Sequence, residues 1–187
     1  MTDNVATALD KFIDDYVQKA VEYPELLQIA YDPEWPSPCY ACDIKSEGSV
    51  SWQPVKRLKK ESFKDLENAL GITIHQDLVS FYGRYWSDNL NAKTSKGSLQ
   101  LLQPWNEDDF IRLQQNLVGH VLMKKRLKQP ETLFFALTDE EDFILTLDNQ
   151  TGEVVLEQIG LRPQEVVAPD LASFLQSLQP DLVNLVL

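Results

Sequence analysis

Glycine is scarce in this chain, seven residues in 187, and none of the seven falls in a GxGxxG or GxxxxGKS/T pattern that would cradle a phosphate. A GxSxG nucleophile elbow is also missing, so nucleotide-binding and hydrolase readings lose support. Cysteine is scarcer still. The two present, Cys39 and Cys42, do not make the disulfide framework of a secreted protein and agree with a reducing compartment. The two histidines, His75 and His120, lack the paired spacing that could complete a four-ligand zinc site with them, so neither metal nor cofactor is expected. No stretch approaches the roughly 18 apolar residues of a membrane span. The N-terminus opens on Asp3 without a basic and then apolar leader, and a cytosolic protein is expected.

Positive charge is also short, with 17 Lys and Arg against 29 Asp and Glu, for a net charge of −12. The imbalance sits at the two ends. Residues 1–36 carry eight acidic side chains against two basic ones and residues 139–187 carry ten against one, which leaves the middle slightly positive. A polyanionic surface repels nucleic acid and anionic lipid and speeds encounter with basic protein segments. The charge therefore points to a basic polypeptide partner, beside the plainer reading that it keeps the protein soluble.

What is present is ordinary for a globular protein: 43% hydrophobic residues, with four Trp, eight Phe and six Tyr to fill a core. A chain of this length suits one domain over residues 1–187. Leu9, Phe12, Ile13, Tyr16, Val17 and Ala20 recur at helical steps and predict an amphipathic helix from Ala6 to Tyr23. Pro33, Pro36 and Pro38 then exclude helix and predict a rigid loop. Tyr40–Ile44 and Val50–Gln53 read as a hairpin containing Trp52, Phe63–Leu70 as a helix stopped by Gly71, and Gln76–Trp86 as a second helix. A strand is expected over Leu99–Gln103. The longest helix follows, with Asn106 as N-cap, Glu107, Asp108 and Asp109 at the positive end of its dipole, and Lys124, Lys125, Arg126 and Lys128 at the negative end. Thr132–Leu137, Phe143–Leu147 and Glu153–Glu157 predict an antiparallel meander, and Asp170 caps a last helix ending at Leu178. The order predicts an α+β fold, a mainly antiparallel sheet with helices packed on one face, over a doubly wound parallel alternative.

Few residues suggest chemistry. Cys39-Tyr40-Ala41-Cys42 has the spacing of a redox pair, but strand character continues after it where a thioredoxin-type site needs a helix start, so two ordinary thiols, at least one buried, are expected. Gly119 beside His120 suggests a close helix-strand approach and a hydrogen-bonded structural histidine, and His75 marks a helix start. Lys56-Arg57-Leu58-Lys59-Lys60 reads as a solvated basic linker. Neither Glu107-Asp108-Asp109 nor Asp139-Glu140-Glu141-Asp142 has metal-ligand spacing, and Asp139–Asp142 reads as an exposed acidic turn. No enzyme is expected.

The run Leu101-Leu102-Gln103-Pro104-Trp105-Asn106-Glu107-Asp108-Asp109-Phe110 resembles the Syd family, as do Gln115–His120 and Lys125–Phe134. Ser37-Pro38-Cys39, Trp52-Gln53-Pro54 and Gly152-Glu153-Val154 match that family in type and order. The resemblance implies a non-enzymatic protein that binds SecY, the channel subunit of the protein translocase, peripherally at the cytoplasmic face of the inner membrane, with a role in monitoring assembly of the SecY complex. It also implies kinship with immunity proteins that neutralise toxins, which makes a basic toxin the alternative partner. Cytoplasmic loops of membrane proteins are rich in Lys and Arg. The carboxylates expected to meet them are Glu107, Asp108 and Asp109 and the turn Asp139, Glu140, Glu141 and Asp142, with Trp35 or Trp105 as an exposed aromatic anchor.

Overall fold

The computed structural model describes residues 3–41, 48–59 and 62–181. In chain order the elements are α1 (Asn4–Ala20), a 3-10 turn (Pro24–Leu27), β1 (Gln28–Ala30), β2 (Ser49–Ser51), β3 (Val55–Lys56), α2 (Lys64–Leu70), α3 (Gln76–Gly83) and β4 (Tyr85–Trp86). They continue as β5 (Leu90–Thr94), β6 (Gly97–Leu101), α4 (Glu107–Arg126), β7 (Thr132–Thr138), β8 (Phe143–Asp148), β9 (Val154–Gln158), β10 (Glu165–Ala168), α5 (Leu171–Ser177) and β11 (Gln179–Pro180). Seven strands form one sheet in the order β10-β9-β8-β7-β6-β5-β11, and every pairing in it is antiparallel. The fold is α+β, and the doubly wound alternative is excluded.

Helices cover both faces of this sheet rather than the single face expected. Thr146 and Glu157 turn towards α4, whose Lys124 bonds the Glu157 carboxylate. Phe135 of β7 meets Phe81 of α3 and Phe174 of α5 edge to face. Successive strand residues point to opposite faces, so a sheet covered twice needs near-continuous apolar strands, as Phe143-Ile144-Leu145-Thr146-Leu147 supplies. No helix among the described residues is long and apolar enough to cross a membrane.

The N-terminal half departs most from expectation. Asp3 caps α1 by accepting from the Ala6 amide, and Leu9, Phe12, Ile13 and Tyr16 are buried. The helix ends at Ala20, short of Tyr23, because Pro24 disfavours helical geometry in the residue before it. The strand at Val50 pairs with β1, which has no apolar pattern. Of the expected hairpin, Tyr40 forms an antiparallel bridge with Trp52, flanked by bonds from the Ala41 amide to the Ser51 carbonyl and from the Gln53 amide to the Cys39 carbonyl, and Cys42–Ile44 lie outside the described residues. The helix expected to reach Trp86 stops at Gly83, after which Tyr85 and Trp86 pair with β3. Consequently the basic run is no free linker: Lys56 lies in β3, and the Arg57 guanidinium stacks 3.7 Å from the Trp86 ring centre and 4.6 Å from that of Phe110. Lys60 is outside the described residues. Gly119, expected at a close approach, faces open space and is exposed, so its cost of about 1 kcal/mol relative to Ala has no packing return.

Asp10 ties this half together. Its carboxylate accepts from Arg84 Nε at 2.9 Å and Nη2 at 2.6 Å, from Lys56 Nζ at 2.9 Å and from Tyr85 Oη at 2.8 Å. Partial burial would raise this carboxyl, but the hydrogen bonds from Arg84, Lys56 and Tyr85 win and hold it well below the usual carboxylate range. A group depressed in the folded state contributes stability that is complete above its unfolded value and is lost as pH falls through the folded one. The stability gap between wild type and Asp10→Asn, followed by chemical denaturation, is therefore expected to be constant near neutrality and to narrow below about pH 4. A gap that stays unchanged on acidification would remove Asp10 as the source.

Candidate functional site

Three segments far apart in the sequence meet at the start of α4. Asn106 Oδ1 accepts from the Asp109 amide at 2.8 Å, and Asp109 Oδ2 accepts from the Trp105 amide at 2.9 Å, so each satisfies a donor the helix start leaves open. The proline loop is fastened to the same place. Ser37 Oγ donates to the Trp105 carbonyl at 2.6 Å, Asn106 Nδ2 to that of Pro36 at 2.8 Å, and Trp105 Nε1 to that of Trp35 at 3.3 Å. Trp52, fully buried, stands edge to face with Trp105, and the Gln53 amide donates to the Cys39 carbonyl. Ser37–Cys39, Trp52–Gln53 and Trp105–Asn106 thus form one knot.

This arrangement divides the candidate residues. Glu107 and Asp108 are exposed and, with Pro36, Pro38 and Trp86, border a shallow concavity. Asp109 is half-buried and occupied by capping. Trp105 is buried at 7% exposure, which overturns its expected role as an exposed anchor: its indole is needed under the proline loop. Trp35 remains half-buried at the surface, with the Arg112 guanidinium 4.6 Å from its ring centre.

The second acidic group occupies the β7–β8 turn, where Asp139, Glu140, Glu141 and Asp142 are all exposed. Its shape is set by Thr138, whose hydroxyl accepts from the Glu140 amide and donates to the Phe143 carbonyl, and by a positive φ of 68° at Asp142. Asp139 and Glu140 form part of the rim of an open cavity of about 240 Å³, with Ser98, Lys96 and Glu165 around it and Leu99, Leu145, Leu156, Val167 and Phe174 among its apolar lining. Lys96 and Glu165 are paired across this rim. The cavity has no lining residue in common with the concavity at Glu107 and Asp108, so the two acidic groups border separate depressions.

Sequence reasoning missed a third constellation. Lys124, expected as one of the cations at the negative end of the helix dipole, is completely buried together with Glu157, Thr132 and Thr146. Its ammonium lies 3.3 Å from each Glu157 oxygen and donates to the Leu161 carbonyl at 2.9 Å, while Thr132 and Thr146 donate to Glu157 Oε2 at 2.9 and 3.2 Å. Thr132 gives its one hydroxyl proton to Glu157, so it is His120 Nε2 that donates, at 3.0 Å, to Thr132 Oγ1. Burial, with Lys124 nearby, pushes His120 down to about 4, which keeps it neutral at physiological pH. Each polar group here is answered by another.

The remaining nucleophile and histidine are structural in their surroundings. Cys39 is buried, and that burial pushes its thiol up to about 11, the opposite of an activated cysteine. Cys42 lies outside the described residues. His75 begins α3, as expected, and its Nδ1 accepts from the Asp77 amide. Among the described residues no three or more His, Cys, Asp and Glu side chains gather as a metal site would require.

Comparison with known proteins bears on what these surfaces serve. The family model described as Syd protein (SUKH-2) matches residues 6–180. A Protein Syd from Pseudoalteromonas atlantica is 54% identical over 182 residues, spanning 96% of this chain and 98% of its own. Its counterpart in Alteromonas mediterranea is 50% identical over 176 residues, spanning 94% and 96%. That of Colwellia psychrerythraea is 40% identical over 183 residues, spanning 91% and 90%.

Proposed function

The chain belongs to the Syd family, and from that premise we propose that it is a non-enzymatic binding protein that engages basic cytoplasmic loops of SecY through its exposed carboxylates, peripherally at the cytoplasmic face of the inner membrane. The observation that carries this reading is the open cavity with an apolar lining and the exposed Asp139 and Glu140 on its rim, beside the Lys96–Glu165 pair. Such a site suits a Lys- and Arg-rich loop that also offers an apolar side chain: the cations meet the rim and the apolar group fills the floor. Glu107 and Asp108, beside Pro36, Pro38 and Trp86, supply a second acidic contact for another part of the loop. The buried thiol of Cys39 and the neutral, buried His120 favour binding over catalysis. A role in monitoring assembly of the SecY complex follows if the loops are reachable only in certain assembly states.

Pull-down from solubilised inner membrane tests the reading. Glu140→Lys/Glu141→Lys is the suitable reversal because both side chains are exposed, whereas reversing Asp109 would also disturb the α4 cap. Wild type is expected to retain SecY at low salt and to lose it steeply as salt rises, and the folded reversal variant to retain at least about tenfold less. Equal capture by both proteins would remove the acidic turn from the interface. Failure of wild type to capture SecY at all, with capture of a soluble basic toxin instead, would transfer the reading to an immunity-type partner.

A further inference from the structure

Against the acidic ends of the chain stand two segments without a single carboxylate, Phe110–Pro130 and Gln158–Gln164. The fold brings the C-terminal part of the first against the second. Lys124 Nζ donates to the Leu161 carbonyl at 2.9 Å, Gln129 Nε2 to that of Gly160 at 3.1 Å, and Arg162 Nη2 to that of Lys128 at 3.1 Å. The buried Lys124–Glu157 pair fixes the join from within. On the outside, Leu127, Ile159 and Leu161 are 45%, 53% and 49% exposed. Arg126, Lys128 and Arg162 are exposed beside them, and none of these three is paired with a carboxylate among the described residues.

We propose that this end of the molecule, formed by the C-terminus of α4 and the β9–β10 turn, is a lipid-facing patch that rests on an anionic membrane surface, with Leu127, Ile159 and Leu161 reaching into the headgroup boundary and Arg126, Lys128 and Arg162 meeting lipid phosphates. Two features favour a bilayer over an acidic protein. The apolar groups sit on a helix end and a turn, outside both of the concavities described above. Protruding apolar side chains flanked by cations instead match a deformable surface that is apolar beneath and negative above. The acidic turn adjoins the patch, because the Ile159 amide donates to the Asp142 carbonyl at 2.9 Å, and its carboxylates oppose the lipid contact that the three cations favour. A chain resting on this patch holds Asp139–Asp142 at its border, level with the segments that emerge from a membrane protein. Lipid contact does not itself depend on SecY.

Co-sedimentation of the full chain with vesicles, free of any protein, tests the patch. The vesicles are phosphatidylcholine alone or phosphatidylcholine with roughly a third phosphatidylglycerol. Wild type is expected to sediment with the anionic vesicles at low salt and not with the neutral ones. A cation next to an anionic leaflet is worth about fivefold in partitioning, so Arg126→Glu/Lys128→Glu/Arg162→Glu should bind at least about tenfold less. Leu127→Ser/Ile159→Ser should bind several-fold less with its charge intact, and Glu140→Lys/Glu141→Lys should bind at least as well as wild type. Circular dichroism establishes that each variant is folded before it is scored. Absence of wild-type binding to anionic vesicles would overturn the proposal, as would binding undiminished by the triple reversal. So would retention of the chain by polyglutamate but not by vesicles, which would make the patch a contact for an acidic protein. Loss of SecY capture alone, with vesicle binding intact, would count against the acidic-face reading and leave this one standing.

Discussion

Lys124→Met is expected to destabilise the protein by about 3–5 kcal/mol, because it leaves the Glu157 carboxylate charged and buried with only two threonine hydroxyls and His120 around it. For a chain of this size that corresponds to a fall of roughly 6–20 °C in Tm. Lys124→Met/Glu157→Gln should recover much of the loss: glutamine fills the same space without a charge and its carbonyl still accepts from Thr132 and Thr146. Thermal and denaturant unfolding of the two single variants and the double variant closes a double-mutant cycle. A double variant as unstable as the sum of the singles would show that the pair is not coupled and that the two charges are tolerated separately. His120 adds a dependence on pH. Its folded value is depressed, so the stability gained from its neutrality is complete above its unfolded value near 6.5 and is lost as pH falls towards about 4.

The same pair marks where the sequence stops being readable. Asn106 and Asp109 were legible as a cap because a helix start is a local affair, settled within four residues. The β7–β9 meander was legible because its apolar runs and turns fall in order. Lys124 was read only as part of a basic run at the negative end of the helix dipole. Yet its spacing continued the buried stripe, since Leu117, Val121 and Lys124 lie on one face and are all buried. Glu157 likewise shares a strand face with the buried Val155. The two matching breaks in apolar pattern were visible separately, but their meeting depends on how α4 crosses the sheet. β5, β10 and β11 were missed because they are short or polar. β5 and β10 pair with their chain neighbours β6 and β9, while β11 sets Gln179 against the distant Lys93, and a two-residue strand has no period of its own. Of the site, the exposure of Glu107, Asp108 and Asp139–Asp142 was legible from charge. Their separation into two depressions and the burial of Trp105 were not.

Trp105→Ala should be among the most damaging single changes to this chain, at a cost of about 3–5 kcal/mol. The indole is buried at the junction of β6 and α4, with ring centroids 5.9 Å from Trp52 and 5.6 Å from Tyr40, both edge to face. Removing it opens a cavity between these rings and takes away the donor to the Trp35 carbonyl, so the proline loop loses one of its three fastenings. That loop holds Pro36 and Pro38 beside Glu107 and Asp108, and loss of the indole should loosen this face before the whole chain unfolds. Trp105→Phe separates the two roles by keeping most of the packing while removing the Nε1 hydrogen bond. It is expected to lose much less in Tm than Trp105→Ala, to show faster hydrogen exchange or proteolysis confined to residues 32–38, and to bind SecY more weakly only to the extent that the Pro36–Glu107 face takes part. If Trp105→Ala instead left the melting temperature unchanged while abolishing capture of SecY, the indole would be an accessible anchor and the packing described for it would be wrong.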